Sequence, residues 1–238
     1  MSSRSNAAPP HRLGRLCLST TAAIGQRIVS GQIRPGEQLP TEAALCGELG
    51  VSRTTVREAV KRLHGKGLLE GGPRTGMKVL PKSRWNQLDG DILLWRTADG
   101  IDDALADQLY EVRGCVEPQA CRMAAERATP EERQQICDLL DALRDESKDV
   151  GAHVAAHLAF HLAIFSATHN PLLITVARAV RNGLELAFRQ SQQRRRMSAI
   201  ELALHGRIAA AIKAGNPSRA ASAMTRLLEH SRRALTYA

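Results

Sequence analysis

The sequence Val51-Ser-Arg-Thr-Thr-Val-Arg-Glu-Ala-Val60 decides how the N-terminal part of this chain folds. Gly50 ends the helix before it, because glycine adopts the left-handed cap conformation without penalty, and Ser52 caps the next helix through its hydroxyl. Apolar residues then recur at helical spacing and face inward: Val56, Ala59, Val60 and Leu63. The outward face carries Arg53, Thr54, Arg57, Lys61 and His64. This pattern predicts a recognition helix, whose first turn enters the major groove of DNA while its apolar face packs on a support helix.

The flanking segments favour DNA binding over a merely solvated face, which is the usual alternative for a run of charges. Upstream, residues 22–30 predict a helix that ends at Gly31, and Thr41 caps a second helix that runs to Leu49. Downstream, residues 67–79 predict two short strands around a glycine-proline turn. Three helices followed by a hairpin predict a winged helix-turn-helix.

Positive charge is concentrated in the same part of the chain. Residues 1–80 hold twelve Lys or Arg and five Asp or Glu, whereas the remaining residues hold 21 and 19, and the two parts together give the net charge of +9. Clustered positive charge supplies salt-sensitive affinity for the phosphates of double-stranded DNA. A membrane surface is the rival partner, but no amphipathic helix pairs this charge with large apolar residues.

Composition favours a cytoplasmic protein with aliphatic cores. Hydrophobic residues make up 43% of the 238 positions but aromatic residues only 3%, so aliphatic side chains must do most of the packing. The five cysteines are odd in number and lack metal-ligand spacing, which indicates reduced thiols. No run of about 18 apolar residues is present that could span a membrane. Residues 1–12 lack the apolar segment of a signal peptide, and we expect a disordered tail.

Residues 20–80 resemble the GntR family of bacterial transcription regulators, through the stretches 28–40 (IVSGQIRPGEQLP) and 51–59 (VSRTTVREA). The resemblance implies DNA contacts from Ser52, Arg53, Thr54, Thr55 and Arg57. Lys61, on the same face, and Arg74, at the wing tip, complete the predicted DNA-binding set. Two departures from the family pattern stand out. Glu42 is followed by Ala43 where the family often has Arg, and Pro73-Arg-Thr-Gly76 replaces the usual Pro-Gly-Arg-Gly of the wing.

A connector and a helical part follow the wing. Trp85, Leu88, Ile92 and Trp95 fall at spacings that predict one short helix with a single apolar stripe. The predicted helices beyond it are roughly 101–128, 131–147, 150–168, 171–191, 198–214 and 217–235. Three of them start with a cap residue before a proline: Thr129-Pro130, Asn170-Pro171 and Asn216-Pro217. Pro118 is expected to kink or split the first helix. Six helices without strands predict an antiparallel bundle with functional groups projecting into its core.

Histidines provide the most distinctive chemistry of the helical part. His153, His157 and His161 repeat every four residues, and His205 lies on a later helix. Neutral imidazoles at i and i+4 can chelate one divalent ion together with a third imidazole from a facing helix. Solvent-facing or hydrogen-bonded histidines are the alternative for such spacing.

Motifs across residues 101–238 resemble the FCD effector domain of the FadR subgroup of the same family: 109–113 (LYEVR), 117–118 (EP), 124–129 (AAERAT), 160–161 (FH), 170–173 (NPLL) and 211–215 (AIKAG). Many such domains bind a metal through Asp-x-x-x-His on one helix and two later histidines. Here His161 and His205 match, His157 occupies the Asp position, and Leu227 occupies the last His position, with His230 about one turn away. The resemblance therefore implies an altered site formed by His157, His161 and His205. This site either binds a divalent ion such as zinc or nickel with open coordination positions, or it no longer binds a metal.

A small-carboxylate effector is also implied by this resemblance. Arg113 is predicted to bind the carboxylate, because a guanidinium in a bundle core is best stabilised by a bidentate anion. An internal salt bridge to Glu117 at i+4 is the alternative. Asn182 is predicted to face the same cavity. Residues 84–95 resemble the subgroup that responds to sugar acids such as galactonate.

Together these observations predict a DNA-binding repressor that a small carboxylate such as a sugar acid releases from its operator. A homodimer on a palindromic operator is expected, because one symmetric protein then reads two half-sites. A metal sensor, in which the ion itself is the signal, is the alternative. An enzyme is not expected, since a histidine-bound metal hydrolase would need the Glu of HExxH. The predicted domains are a tail (1–14), a winged helix-turn-helix (15–80), a structured helical linker (81–100) and an FCD-like helical domain for effector binding and dimerisation (101–238).

Overall fold

Residues 10–72, 76–98, 103–145, 149–179 and 197–236 are described by the computed structural model. The chain forms two units, Met1–Arg96 and Thr97–Ala238, each with its own apolar core. The boundary between the two units falls inside the predicted linker. The exact domain boundaries given from the sequence stay a prediction. None of the helices in these described stretches is long and apolar enough to cross a membrane.

The first unit consists of three helices, a hairpin and a further short helix. Its elements are α1 (Pro10–Val29), α2 (Glu42–Leu49), α3 (Arg53–Gly65), β1 (Leu69–Gly72), β2 (Gly76–Val79), a 3-10 turn (Lys82–Arg84) and α4 (Gly90–Arg96). The three predicted caps around α2 and α3 are confirmed. Thr41 accepts a hydrogen bond from the N–H of Ala44, Gly50 has φ 64°, and Ser52 accepts from the N–H of Thr55.

The hairpin that follows α3 is anchored on the turn before α2. β1 and β2 pair antiparallel, with Leu69 opposite Val79. The backbone N–H of Leu39 donates to the carbonyl of Met77 at 2.7 Å, and the N–H of Val79 donates to the carbonyl of Glu37 at 2.9 Å. The Arg34–Pro40 segment thus lies along β2 and supports the wing beside the recognition helix.

α1 begins earlier than the sequence analysis predicts. It starts at Pro10 instead of residue 22, so residues 10–14, which were assigned to the disordered tail, are helical. Polar residues continue the buried face of α1 toward its N-terminus, and a search for apolar residues at helical spacing does not detect them. Thr20 and Thr21 are buried, and the Thr21 hydroxyl donates to the carbonyl of Cys17 at 2.8 Å, which removes the cost of burying it.

The connector is structured, but its apolar stripe does not lie on one helix. Trp85 follows the 3-10 turn and is buried, with its indole N–H donating to the carbonyl of Leu80 at 2.8 Å. Leu88 is 39% exposed instead of packed. Asp89 accepts hydrogen bonds from the N–H groups of Asp91 and Ile92 and therefore starts a new helix, α4, after the break.

The second unit is helical throughout its described residues. It contains α5 (Asp103–Arg127), α6 (Pro130–Arg144), α7 (Val150–Ser166), α8 (described over 171–179), α9 (Ala199–Lys213) and α10 (Pro217–Thr236). α10 packs along α5 and α9, and α6 packs along α7 and α9. This bundle and the winged first unit confirm the predicted mainly α fold class.

The predicted helix starts are confirmed, and of the two alternatives for Pro118, a kink or a split, the split is absent. Thr129 and Glu132 form a reciprocal capping box, and the side-chain oxygens of Asn170 and Asn216 accept from the first turns of α8 and α10. α5 runs through Pro118 without splitting. The carbonyl that loses its partner belongs to Gly114, an exposed residue whose carbonyl can be solvated.

One arginine joins the ends of two bundle helices. Arg133 of α6 donates to the carbonyls of Ala125 and Ala128, at the end of α5, at 2.9 and 3.1 Å. It also donates to the carbonyl of Lys213, the last residue of α9, at 3.0 Å. These carbonyls have no partner within their own helices, so a cation there satisfies them and interacts favourably with both helix dipoles.

Gly25 gives a stability test of the first core, because a Cβ at this position would overlap the buried indole ring of Trp95. We expect Gly25→Ala to destabilise the protein by about 1–3 kcal/mol through overpacking, although alanine has a helix propensity about 1 kcal/mol better than glycine. Gly14→Ala is the matched control on α1, since nothing lies within 4 Å of a Cβ there, and it should be neutral or stabilising. Urea unfolding measures both. A stabilised Gly25→Ala protein would contradict the packing of Trp95 on α1.

Candidate functional site

α3 presents the predicted DNA-binding face. Arg53, Thr54, Arg57 and Lys61 are exposed. The opposite side of the helix is fully buried in the first core, at Val56, Ala59 and Leu63. The amphipathic pattern therefore places the basic groups of this helix on one accessible surface, as a recognition helix requires.

Thr55 does not share this exposed face. Only 6% of it is exposed, and its hydroxyl lies 2.9 Å from the hydroxyl of Ser52. Both side chains hold the first turn of α3, because the hydroxyl of Ser52 also accepts the backbone N–H of Thr55. The DNA contact that the family resemblance implies for Thr55 is thus at odds with its burial. Ser52 is exposed, and its predicted contact stays a prediction.

Arg57 has an acidic neighbour on the support helix. Its Nε donates to a carboxylate oxygen of Glu42 at 2.9 Å, and both side chains are well exposed. An exposed ion pair contributes about 0–1 kcal/mol, so a phosphate or base edge can compete for Arg57. Arg74, the predicted wing contact, lies outside the described residues.

Three imidazole rings meet in the second unit. His157 and His161 lie one turn apart on α7, and His205 comes from α9. Their ring centroids are 4.7, 4.9 and 5.6 Å apart for the pairs 157–161, 157–205 and 161–205. One ligand nitrogen of each ring lies within 4.8 Å of those of the other two. The fold therefore brings together the three predicted metal-ligating residues, whereas His153 is outside this group.

Burial keeps two of these rings neutral. Desolvation, reinforced by His161, lowers the pKa of His157 well below its usual range and lowers the pKa of His205 to about 3. Nδ1 of His205 lies 2.7 Å from the carbonyl oxygen of Glu201, which can only accept, so Nδ1 carries the proton. Nε2 of His205 is then unprotonated and carries a free lone pair. It is buried and has no hydrogen-bond partner among the described residues.

This set of nitrogens fits a divalent metal ion. Neutral imidazole is a ligand for zinc and nickel. Two nitrogens bound to one tetrahedral zinc are about 3.3 Å apart, given Zn–N bonds of about 2.0–2.1 Å, so separations within 4.8 Å require only a small adjustment. Leu227 at the position of the last family ligand is buried and apolar. Three histidines would thus hold the ion and leave positions for water or ligand oxygens.

A buried ion pair lies beside the rings. Nε of Arg113 donates to Oε1 of Glu117 at 2.5 Å, one turn along α5, and both side chains are almost fully buried. The ring of Tyr110 lies 5.0 Å from the guanidinium carbon. Burial by itself would raise the pKa of Glu117, but the charge of Arg113 and the contact with His161 outweigh it and lower this pKa to about 2. The internal salt bridge that the sequence left open for Arg113 is therefore formed.

Glu117 also contacts the histidine cluster, which sequence reasoning missed. Nδ1 of His161 lies 3.0 Å from Oε2 of Glu117. The i+4 spacing within α5 indicates that Glu117 contacts Arg113. A contact between Glu117 and His161 on α7 cannot be inferred from the spacing within a single helix. Asn182, the second predicted effector residue, lies outside the described residues.

Comparison with known families covers both units. Residues 18–79 match "Bacterial regulatory proteins, gntR family", and residues 108–230 match "FCD domain". The second match alone spans more than half of the chain. The chain therefore belongs to the gntR family of bacterial regulatory proteins that carry an FCD domain. It is a DNA-binding transcription regulator and not an enzyme, as the sequence predicts.

Two curated relatives are similar over two thirds of their length or more. The galactonate operon transcriptional repressor of Escherichia coli is 34% identical over 157 residues, which cover 66% of this chain and 69% of the relative. The Uxu operon transcriptional regulator of the same organism is 30% identical over 192 residues, covering 79% and 67%. The structure of Lar, which controls expression of the Listeria monocytogenes agr system, matches with a TM-score of 0.66 at 16% identity, covering 93% of this chain and 97% of that one. That likeness concerns the fold alone.

Arg53 is the first test of the DNA-binding face. We expect Arg53→Ala to weaken binding to a DNA site selected by the wild-type protein by about 1–3 kcal/mol through loss of a base-edge contact, with a smaller loss on random DNA. Fluorescence anisotropy on both DNAs measures this. Arg62→Ala is the matched control, because Arg62 is exposed on α3 but points about 180° away from Arg53 around the helix axis, nine residues at about 100° each. Equal losses on selected and random DNA would show that Arg53 contacts only phosphate.

The histidine cluster gives a second test. We expect purified protein to hold close to one equivalent of zinc, nickel or a similar metal per chain, and chelation to lower the thermal midpoint, because metal binding stabilises the folded state. His161→Ala should remove both effects, whereas His153→Ala, on the same helix but outside the group, should retain them. Elemental analysis and thermal unfolding measure the two effects. Unchanged metal content in the His161→Ala protein would contradict this site.

Proposed function

We propose that this chain is a transcriptional repressor that a small carboxylate, of the sugar-acid class, releases from its operator. The proposal rests on one observation above all: a cluster of three imidazoles beside Arg113 inside the FCD domain. The relative that is a galactonate operon repressor supports both the repressing role and the ligand class. As a DNA-binding regulator, the protein would act in the cytoplasm as a homodimer on a palindromic operator, since two symmetric copies read two half-sites.

A metal ion held by His157, His161 and His205 would form part of the effector site. When bound, it supplies Lewis acidity toward oxygen ligands. A sugar acid carries a carboxylate and hydroxyl groups that can occupy the positions left by only three protein ligands. Zinc and nickel both accept such mixed nitrogen and oxygen sets.

Arg113 would pair with the effector carboxylate from the neighbouring helix. A guanidinium has five N–H donors, and Glu117 accepts from Nε at 2.5 Å and from Nη2 at 3.4 Å. The carboxylate of an incoming effector would therefore share the buried guanidinium with Glu117. The alternative is that Arg113 only balances Glu117 within the core. Asn182 is proposed as a second effector residue from the sequence alone, since it lies outside the described residues.

The effector would lower operator affinity if it binds the DNA-free protein more tightly than the DNA-bound protein. Such coupling energies are typically about 1–3 kcal/mol, which corresponds to roughly 5–150-fold in affinity. The same cluster also favours the second candidate function, a metal-responsive regulator in which the ion is the signal.

Titration of the operator complex separates the two functions. We expect galactonate, tested first in a panel of sugar acids and dicarboxylates, to release DNA from the metal-loaded protein, whereas added zinc alone should not. Arg113→Lys keeps the charge beside Glu117 but loses the bidentate fork, so effector affinity should fall roughly tenfold or more. Arg144→Ala removes an exposed arginine paired with Asp141 on α6 and should change nothing. Release by zinc alone would favour the metal sensor, and no release by any carboxylate would overturn the proposed ligand class.

A further inference from the structure

Glu117 contacts two functional groups of the bundle, Arg113 and His161. Oε1 accepts from Nε of Arg113, while Oε2 accepts from Nη2 of Arg113 at 3.4 Å and lies 3.0 Å from Nδ1 of His161. All three side chains are largely buried, with exposures of 2%, 5% and 12%. One carboxylate thus lies between the proposed effector anchor on α5 and a proposed metal ligand on α7.

The charge of Glu117 determines which nitrogen of His161 carries the proton. An ionised carboxylate can only accept hydrogen bonds. The ring is not well aligned with Oε2 for a full hydrogen bond, so the contact is chiefly electrostatic. At 3.0 Å a negative oxygen attracts an N–H and repels a lone pair. Nδ1 therefore carries the proton in neutral His161, and Nε2 is the bare nitrogen.

His205 shows the same arrangement with a different acceptor. Its Nδ1 faces the carbonyl of Glu201 at 2.7 Å. The Nε2 atoms of both His161 and His205 are buried and have no hydrogen-bond partner within the described part of the chain. Two rings from different helices thus have an acceptor beside Nδ1 and a buried, unpaired Nε2. A metal ion would satisfy both nitrogens at once.

We propose that Glu117 is a positioning residue that orients His161 toward the metal and holds the proton of the neutral ring on Nδ1, so that Nε2 presents its lone pair to the metal. The inference rests on the metal site of the proposed function. Carboxylates behind metal-bound histidines raise ligand basicity and fix the ring, and their removal typically weakens metal binding by about 10–100-fold. Arg113 balances the charge of the same carboxylate, and Arg113 is also the proposed effector-binding residue. Glu117 therefore links the proposed metal site to the proposed effector site.

The experiment measures zinc affinity by competition with a chromophoric chelator in the full-length protein. Glu117→Gln should weaken zinc binding by about 10–100-fold. The weaker zinc affinity that remains in a His161→Ala background should show no further loss from the same substitution, because its effect passes through His161. Glu132→Gln is the matched control, since Glu132 contacts His169 at 2.9 Å on the surface of the same unit, away from the cluster. It should leave zinc affinity unchanged.

A second variant covers the case in which a lone buried Arg113 prevents folding of Glu117→Gln. The double substitution Arg113→Gln with Glu117→Gln removes both charges and should show the same loss of zinc affinity. In metal-free protein, the ¹⁵N shifts of the His161 ring should report a proton on Nδ1 in the wild type and a mixture of tautomers in the variants. A purely structural Glu117 would leave these shifts unchanged.

The outcomes separate this inference from the proposed function. Wild-type protein that binds zinc tightly while the Glu117 variants bind it equally well would overturn the positioning role and leave the metal site intact. Equal losses in the wild-type and His161→Ala backgrounds would also overturn it. Wild-type protein that binds no zinc would overturn the metal site and this inference together.

Discussion

The burial of two opposite charges in the helical bundle is the constraint on which the second unit depends. Arg113 and Glu117 are nearly inaccessible, and each would be strongly destabilising without the other, because an unpaired buried charge loses its hydration without compensation. The pair also sets the electrostatic environment of the histidine cluster, since Glu117 contacts His161. The proposed effector and metal sites thus share one buried pair of opposite charges, Arg113 and Glu117.

Local features of this fold could be predicted from the sequence, whereas contacts between helices could not. Capping by Ser52 and Thr129 and the facing of α3 follow from residue type and spacing within a few residues. The His157–His161 pair follows from i+4 geometry. The early start of α1 was missed because Thr20 and Thr21 continue its buried face, and hydroxyls that bond within the helix do not appear in an apolar pattern. The contact of Glu117 with His161 depends on how α5 and α7 pack, which no spacing within one helix specifies.

The two units use charge in opposite ways. In the first unit the functional arginines are exposed, and even the Arg57–Glu42 pair is open to solvent. Interactions of such groups are screened over about 8 Å at physiological ionic strength. In the second unit, the Arg113–Glu117 pair is almost fully buried. Added salt should therefore weaken the interactions of the exposed arginines far more than it weakens this buried pair.

Arg133 extends this picture beyond the ligand-binding residues. Its hydrogen bonds connect the end of α5, the helix of Arg113 and Glu117, to the end of α9, the helix of His205. The spacing between α5 and α9 is therefore set partly by a side chain of α6, which belongs to neither helix. Under the proposed repressor function, a genetic screen for super-repressor alleles, which bind DNA but ignore the inducer, would recover substitutions at Arg133 as well as at Arg113.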